Sequence, residues 1–281
     1  MPRCGDCYSC KHPRGVGCVN FPTAHHLVNA SQTVSARGQK LFPLFGLGTF
    51  CEYIVVPTTQ LAKLSPETCV DQLAPLGCAV LTGWGAAESV AKVTKEDKVA
   101  IWGLGAVGLS ALMACVKAKA KIVIAVDVDE DKLKTAVKFG ATHTLLANKE
   151  TSNLIRQICE SGVDFAFECS GSPKAEDQAI DSLQFGWGLA VLVGCPNTNS
   201  SLSIPTNQFI GQGKSIRGII LGGWKNPKEA LTRLAEGYSN DRCPDVSGLV
   251  TKEVKLEDVN TALESIVKPH NKDLRVLIRF D

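Results

Sequence analysis

Four cysteines near the start of the chain stand at a spacing that gathers metal. Cys4, Cys7, Cys10 and Cys18 read C-x2-C-x2-C-x7-C, and Gly5, Pro13, Gly15 and Gly17 allow the tight loop that brings four sulfurs together. Four thiolates close a tetrahedral shell around zinc and leave no open position, which suits a structural site. The competing reading is a set of free or disulfide-bonded thiols. The compact spacing favours zinc, as does an N-terminus, MPRCGDCYSC, with no apolar signal-peptide core.

The second constellation is Val99–Gly108, VAIWGLGAVG. A short apolar run reads as a buried strand, then Gly103-Leu104-Gly105-Ala106-Val107-Gly108 gives G-x-G-x-x-G, and an apolar helical stretch follows over Val107–Ala118. A second apolar strand, Ile122–Val126, ends in Asp127, 19 residues beyond Gly108. Each part has a role in holding a dinucleotide. Gly103 permits the tight turn, Gly105 lets a pyrophosphate approach the backbone, and Gly108 lets helix and strand pack closely. The helix N-terminus offers unpaired N–H groups and a positive dipole end to the phosphates. Asp127 can accept from the adenosine ribose hydroxyls, and its charge would repel a 2′-phosphate, so NAD is expected over NADP. Glycines cluster in many turns; here strand, turn, helix, strand and acid stand in register.

These groups need elements to hold them. From Lys98 onward strand and helix signals alternate. Candidate strands are Lys98–Trp102, Ile122–Asp127, Thr142–Ala147, Asp164–Glu168, Gly188–Gly194 and Ile216–Leu221, which predicts a doubly wound parallel, Rossmann-type α/β sheet. Upstream, Phe21–Phe50 is loop-rich, and the adjacent His25 and His26 read as solvated loop residues rather than ligands. Thr49–Pro57, TFCEYIVVP, reads as a strand. Asp71–Val93 reads as a small-residue helical run containing Cys78. Two helices, Pro227–Tyr238 and Leu256–Lys268, and a last strand, Leu274–Phe280, complete the chain.

Composition narrows the classes. A chain of 281 residues suggests two domains, and 44% hydrophobic residues supply a sizeable core. A net charge of +2 points to neither nucleic acid nor an anionic membrane, and no apolar run is long enough to span a bilayer. The lack of an apolar signal-peptide core favours a cytoplasmic location; twelve cysteines are many for such a protein, and a reducing compartment disfavours disulfides and favours metal.

Taken together, the glycine fingerprint, the four-cysteine loop and GCAVLTGWGA resemble the zinc-dependent medium-chain alcohol dehydrogenases, nearest to their class I and class III (glutathione-dependent formaldehyde) branches. The likeness extends to TFCEYIVV, VDVDEDK, VDFAFECSG, IRGIILGGWK and LRVLIRF, and so covers essentially the whole chain. The resemblance implies three parts. These are a partial GroES-like catalytic domain with the zinc lobe over 1–79, an NAD-binding Rossmann domain over 80–221, and a segment over 222–281 returning to the catalytic domain. It implies structural zinc on Cys4, Cys7, Cys10 and Cys18. It makes Cys78 one of three protein ligands of a catalytic zinc, where the residue alone would read as a buried core thiol. Thr82 and Val107 match positions packing on the nicotinamide, Asp127 and Lys132 the adenosine-ribose contacts, and Arg275 a pyrophosphate-binding arginine; solvated charge is the alternative for Lys132 and Arg275. Leu44, Phe45, Cys195 and Ile220 match the substrate pocket, with core packing equally good for all four. A homodimer paired through the IRGIILGG edge is also implied.

One departure from the family pattern matters. In the family a segment ahead of the cysteine lobe supplies a catalytic-zinc cysteine, a histidine ligand and a hydroxyl–histidine proton relay, yet here no Cys precedes Cys4 and no His precedes His12. Catalytic zinc takes three protein ligands and an open position, alcohol dehydrogenases being standard examples. The sequence is therefore expected to be a truncated dehydrogenase that binds NADH without turnover. The full form would pass hydride between an alcohol, or a hemithioacetal-like S-hydroxymethyl glutathione adduct, and NAD. The competing functions are a non-catalytic dinucleotide- and zinc-binding partner subunit and a zinc-free quinone reductase. The last would leave Cys4–Cys18 and Cys78 without a purpose.

Overall fold

The computed structural model describes residues 3–20, 34–41, 47–56, 58–68, 70–197, 199–240, 243, 245–268 and 271–280. In chain order its strands are β1 Val34–Ala36, β2 Gln39–Leu41, β3 Lys98–Trp102, β4 Ile122–Asp127, β5 His143–Leu146, β6 Phe165–Glu168, β7 Leu189–Leu192, β8 Ser215–Gly218, β9 Lys252–Lys255 and β10 Val276–Arg279. The helices are α1 Tyr8–Lys11, α2 Val70–Leu73, α3 Ala79–Gly85, α4 Ala106–Lys117, α5 Glu130–Lys138, α6 Thr151–Ile158, α7 Pro173–Asp181, α8 Thr206–Gln212, α9 Pro227–Ser239 and α10 Val259–Ile266.

The chain divides into two compact units: Met1–Cys69 with Lys225–Glu236 and Val250–Asp281, and Val70–Trp224 with Gly237–Leu249. The divisions fall at 69/70 and 224/225, where the sequence reading puts 79/80 and 221/222, and 237–249 belongs with the second unit.

The second unit is built on one six-stranded sheet in the order β5-β4-β3-β6-β7-β8, every pair parallel. This is the doubly wound order in which the chain reverses direction across the sheet between β3 and β6. Burial on both faces explains the near-continuous apolar runs KVAIW and IVIAVD. On one face Ala100, Trp102, Ile124, Val126, Ala166 and Ala190 pack with Ile155 of α6 and Ala179 of α7. The alternate residues Val99, Ile101, Val123, Ala125, Phe167 and Val191 are buried on the other.

The first unit carries the β1–β2 antiparallel hairpin, whose turn residues Arg37 and Gly38 both take positive φ (50° and 75°). It also holds the parallel pair β9–β10, where Arg279 meets Glu253 through two N–H groups at 2.9 and 3.0 Å. The strand expected over Thr49–Pro57 does not form. Residues 49–56 are irregular, with Tyr53 89% and Val55 91% exposed. β-branched and aromatic residues favour a pleated, half-buried surface, and among the described residues no strand lies alongside to supply the ladder. Leu256–Lys268 begins as a 3-10 turn, Leu256–Asp258, before α10.

Candidate functional site

The candidate metal centre lies in the first unit. The Sγ atoms of Cys4, Cys7, Cys10 and Cys18 all lie within 4.8 Å of one another. Measured pairs are Cys4–Cys18 at 3.6 Å, Cys7–Cys18 at 3.9 Å and Cys4–Cys10 at 4.0 Å. A tetrahedron with Zn–S bonds of about 2.3 Å has sulfur edges of about 3.8 Å, so the four thiols fit zinc. Local backbone geometry sets the sulfurs. Cys7 caps α1, and the amides of Cys7 and Cys10 donate to the sulfurs of Cys4 and Cys7 at 3.3 and 3.4 Å. The Cys10 amide pulls the Cys7 thiol down to about 6, and the Cys7 amide lowers Cys4. Burial pushes Cys18 up to about 11; a cation among the four sulfurs would oppose that burial. Lys225 and Arg3 brace the lobe from outside. Lys225 Nζ donates to the carbonyls of Cys10 (2.7 Å) and His12, and Arg3 donates to Lys225 O at 2.6 Å. This bracing by a residue more than 200 positions away had no signal in the sequence.

The candidate nucleotide site lies in the second unit, where β3 turns into α4. Gly103 takes φ +83°, and a Cβ there would lie 2.8 Å from Ser170 Cβ. Gly105 caps α4 with extended ψ, and a Cβ there would meet nothing within 4 Å. A Cβ on Gly108 would lie 1.9 Å from the Gly103 carbonyl. The first turn of α4 leaves amide N–H groups that no intrahelical carbonyl can take, and the backbone beside them is open. That cradle fits a pyrophosphate.

Asp127 ends β4 beside the turn and is 7% exposed. Its Oδ2 accepts from Leu104 N at 2.6 Å and its Oδ1 from Asp129 N at 3.0 Å. The carboxylate therefore fixes the glycine loop and retains acceptor positions for a ligand, since it offers about four lone-pair sites. Beyond it opens a cavity of about 820 Å³, lined by Trp102, Gly103, Asp127, Val128, Asn148 and Ser170 among others. It lies outside the carboxyl ends of the strands, where doubly wound sheets bind ligands.

Glu168 is a site residue the sequence reading passed over. It ends β6 fully buried and accepts from Ser170 N (2.7 Å), the Ser170 hydroxyl and Gly171 N (3.0 Å). This pins the turn that faces Gly103. An acid closing the apolar strand FAFE directly before a Ser-Gly turn was the available signal. Burial raises the neighbouring Cys169 and Cys115 thiols above the usual range.

Other expected site residues are placed as follows. Cys78 is exposed and precedes α3; its carbonyl accepts from Thr82 N at 2.9 Å, and Thr82 is half-buried. Cys78 is therefore not a buried core thiol. Val107 is half-buried in the first turn of α4, and Lys132 is half-buried on α5. Cys195 is exposed beyond β7, and Ile220, 39% exposed, beyond β8. Arg275 precedes β10 and donates to the Leu274 carbonyl at 2.7 Å. His25, His26, Leu44 and Phe45 lie outside the described residues.

The chain is similar to known proteins. The zinc-binding dehydrogenase family model matches residues 106–236. An alcohol dehydrogenase class-3 of Myxine glutinosa is 32% identical over 270 residues, covering 94% of this chain and 71% of the relative. An alcohol dehydrogenase class-3 of Caenorhabditis elegans is 30% identical over 291 residues, covering 100% of this chain and 74% of the relative. The chain belongs to the zinc-dependent alcohol dehydrogenase family. The crystal structure of an alcohol dehydrogenase zinc-binding domain protein from Burkholderia ambifaria, 30% identical, superposes with a TM-score of 0.90 over 100% of this chain and 76% of its own. Membership makes the chain an oxidoreductase of a family that uses zinc and NAD. No helix of the described residues is long and apolar enough to cross a membrane.

Proposed function

We propose that the protein is an NAD-dependent oxidoreductase acting between a small alcohol, or an S-hydroxymethyl glutathione-type adduct, and its aldehyde-level product. The observation that carries this reading is the β3–Gly103–Gly108–α4 cradle with Asp127 beside it, in a chain about one third identical to class-3 alcohol dehydrogenases. When bound, the dinucleotide supplies a hydride acceptor at its nicotinamide. The chain's own part is positioning: amides of the Gly103–Gly108 turn for the pyrophosphate, Asp127 and Lys132 for the ribose, Thr82 and Val107 for the nicotinamide face, and Arg275 for a phosphate. Leu44, Phe45, Cys195 and Ile220 are the substrate-pocket candidates.

We place the structural zinc on Cys4, Cys7, Cys10 and Cys18 and a catalytic role on Cys78. Among the described residues no second group of three or more ligating side chains surrounds Cys78. The described residues thus do not assemble a catalytic zinc site. That observation favours a second reading, a zinc- and dinucleotide-binding subunit without turnover of its own. Steady-state oxidation of ethanol, and of formaldehyde with glutathione, each with NAD and added zinc, separates the two. Turnover that falls at least about tenfold in Cys78→Ser supports the first. NADH binding without turnover supports the second. A chain that binds no NADH sinks both.

Two finer assignments accompany this reading. The exposed edge strand β8 is the candidate seam of a homodimer, and the thiol-rich lobe suits a cytoplasmic, reducing environment. Cofactor choice is the more direct test. NADH is expected to bind at least about tenfold more tightly than NADPH, because the Asp127 charge opposes a 2′-phosphate. Asp127→Asn keeps an acceptor for Leu104 N while removing the charge, so it narrows the preference; Asp127→Gly narrows it too and weakens both ligands by loosening the loop. Fluorescence titration reads all of these, and equal or tighter NADPH binding by the unaltered protein would refute the assignment.

A further inference from the structure

At the end of the crevice beyond Asp127, polar groups are spent on one another with one exception. Asn148 uses its side chain within its own turn: Nδ2 donates to the Leu146 carbonyl at 3.1 Å, and Oδ1 accepts from Glu150 N at 2.7 Å. The Asn148 carbonyl accepts from Gln178 Nε2 on α7 at 2.6 Å. A backbone carbonyl only accepts, so this bond fixes the sense of the Gln178 amide: its nitrogen faces Asn148 and its Oε1 is left over. Among the described residues no donor reaches that oxygen. It is not sealed in either, since the buried side-chain atoms without a partner are Gln60 Oε1, Trp102 Nε1 and Gln184 Oε1.

Gln178 and Asn148 both line the crevice of about 820 Å³, so the amide that joins them borders it. The Gln178 side chain is half-buried and held in place before any ligand arrives. An accessible oxygen held in advance accepts a proton from a ligand at little further cost in side-chain entropy. The Asp177 carboxylate lines the same crevice, but it is exposed, and among the described residues no hydrogen bond orients it. Gln178 Oε1 is therefore the preset neutral acceptor at this end of the crevice.

We propose that Gln178 Oε1 accepts a hydrogen bond from the exocyclic amine of the adenine base of the bound dinucleotide, and so selects adenine over other purines. The proposal rests on the reading of this crevice as the adenosine end of the cofactor site. With the pyrophosphate at the Gly105 cradle and the ribose at Asp127, the base extends towards Asn148 and Gln178. Val128, directly after Asp127, and Ala175, in the first turn of α7, line that part of the crevice and offer apolar contact to a planar ring. The exocyclic amine of adenine is a donor. Unsubstituted purine has no group there, and hypoxanthine carries a carbonyl oxygen that would meet Oε1 acceptor to acceptor.

The test is calorimetric binding of 5′-AMP, purine riboside 5′-monophosphate and 5′-IMP to the full chain, to Gln178→Leu and to Asp177→Ala. In the unaltered protein the purine riboside is expected to bind about threefold to tenfold more weakly than AMP, the worth of one hydrogen bond, and IMP more weakly still. Gln178→Leu should weaken AMP to the level of the purine riboside and leave the purine riboside itself unchanged. Asp177→Ala should keep the order of the three ligands. Should Gln178→Leu fold poorly, the ligand series on the unaltered protein and on Asp177→Ala carries the test. Equal binding of AMP and the purine riboside overturns the proposal, as does an order that persists in Gln178→Leu or is lost in Asp177→Ala. If AMP fails to bind the unaltered protein at all, the crevice is not an adenosine site, and that prior reading falls together with the role of Gln178.

Discussion

Cys10→Ser is expected to release the bound zinc and unfold the lobe spanning residues 3–18. Metal analysis should fall from about one zinc per chain to a small fraction, and limited proteolysis should then cut within the lobe. The lobe has little else to hold it. Within 3–18 only Cys10 and Cys18 are buried, and α1 is a single turn of four residues. Structural zinc contributes about 10–16 kcal/mol of apparent binding free energy in small domains, and that energy is folding energy. Losing one of four thiolates forfeits a large share of it. Cys10 is the most informative position because its carbonyl also receives Lys225 Nζ and Arg3. Those donors lose their anchor when the loop opens. His12→Ala is the control. Its carbonyl accepts from Lys225, but among the described residues its ring takes only the Arg14 amide as a hydrogen bond, so zinc content should stay near one. Full zinc retention in Cys10→Ser would sink the assignment. So would an unaltered protein that carries no zinc while all four thiols titrate freely.

The parts of the fold legible in the sequence were those whose signal is local. β3 and β4 form over the expected residues because each is a bounded apolar run beside a glycine turn or an acid. The four cysteines come together because their spacing alone brings them within reach. What escaped depends on contacts far apart in sequence. Thr49–Pro57 has strand composition, yet a strand exists only where a neighbour completes its ladder. Lys225 reaches the zinc lobe across more than 200 residues. Asp127 reads from the sequence only as a candidate ribose acceptor; that it holds Leu104 N was not legible, because that bond depends on how the turn lies over the end of β4. The helical run over Asp71–Val93 breaks into α2, a 3-10 turn, α3 and a π-helical stretch over Ala86–Ala91. Gly83 and Gly85 within it are packing contacts: a Cβ on Gly83 would lie 2.1 Å from the Val107 carbonyl on α4. The sequence shows the glycines and not what they face, α4 for Gly83 and the Gly222–Trp224 turn for Gly85.

That contact leads to the sharpest test of the cofactor cradle, a comparison of two alanines three residues apart. Gly108→Ala is expected to destabilise the protein by about 3 kcal/mol or more and to abolish NADH binding. The new methyl would sit 1.9 Å from the Gly103 carbonyl, and the obstacle is backbone that no rotamer change can move. Nor can α4 step back as a unit, because Gly83 already brings α3 against it, with a hypothetical Cβ 2.7 Å from Ala111 N. The strain must spread into β3 and the turn, both of which shape the crevice. Gly105→Ala should behave differently. Its φ is −71° with extended ψ, which alanine adopts freely, and among the described residues no atom beyond its own chain neighbours lies within 4 Å of the added methyl. Thermal unfolding should therefore stay close to that of the unaltered protein. NADH binding should still fall at least about tenfold, because the methyl occupies the space through which a pyrophosphate reaches the amides of α4. Melting curves and NADH titration on both variants decide the matter. A Gly105→Ala protein that binds NADH normally would mean that the phosphates do not lie over that turn, however well the glycines match the fingerprint. A Gly105→Ala protein as unstable as Gly108→Ala would mean that both glycines serve packing alone.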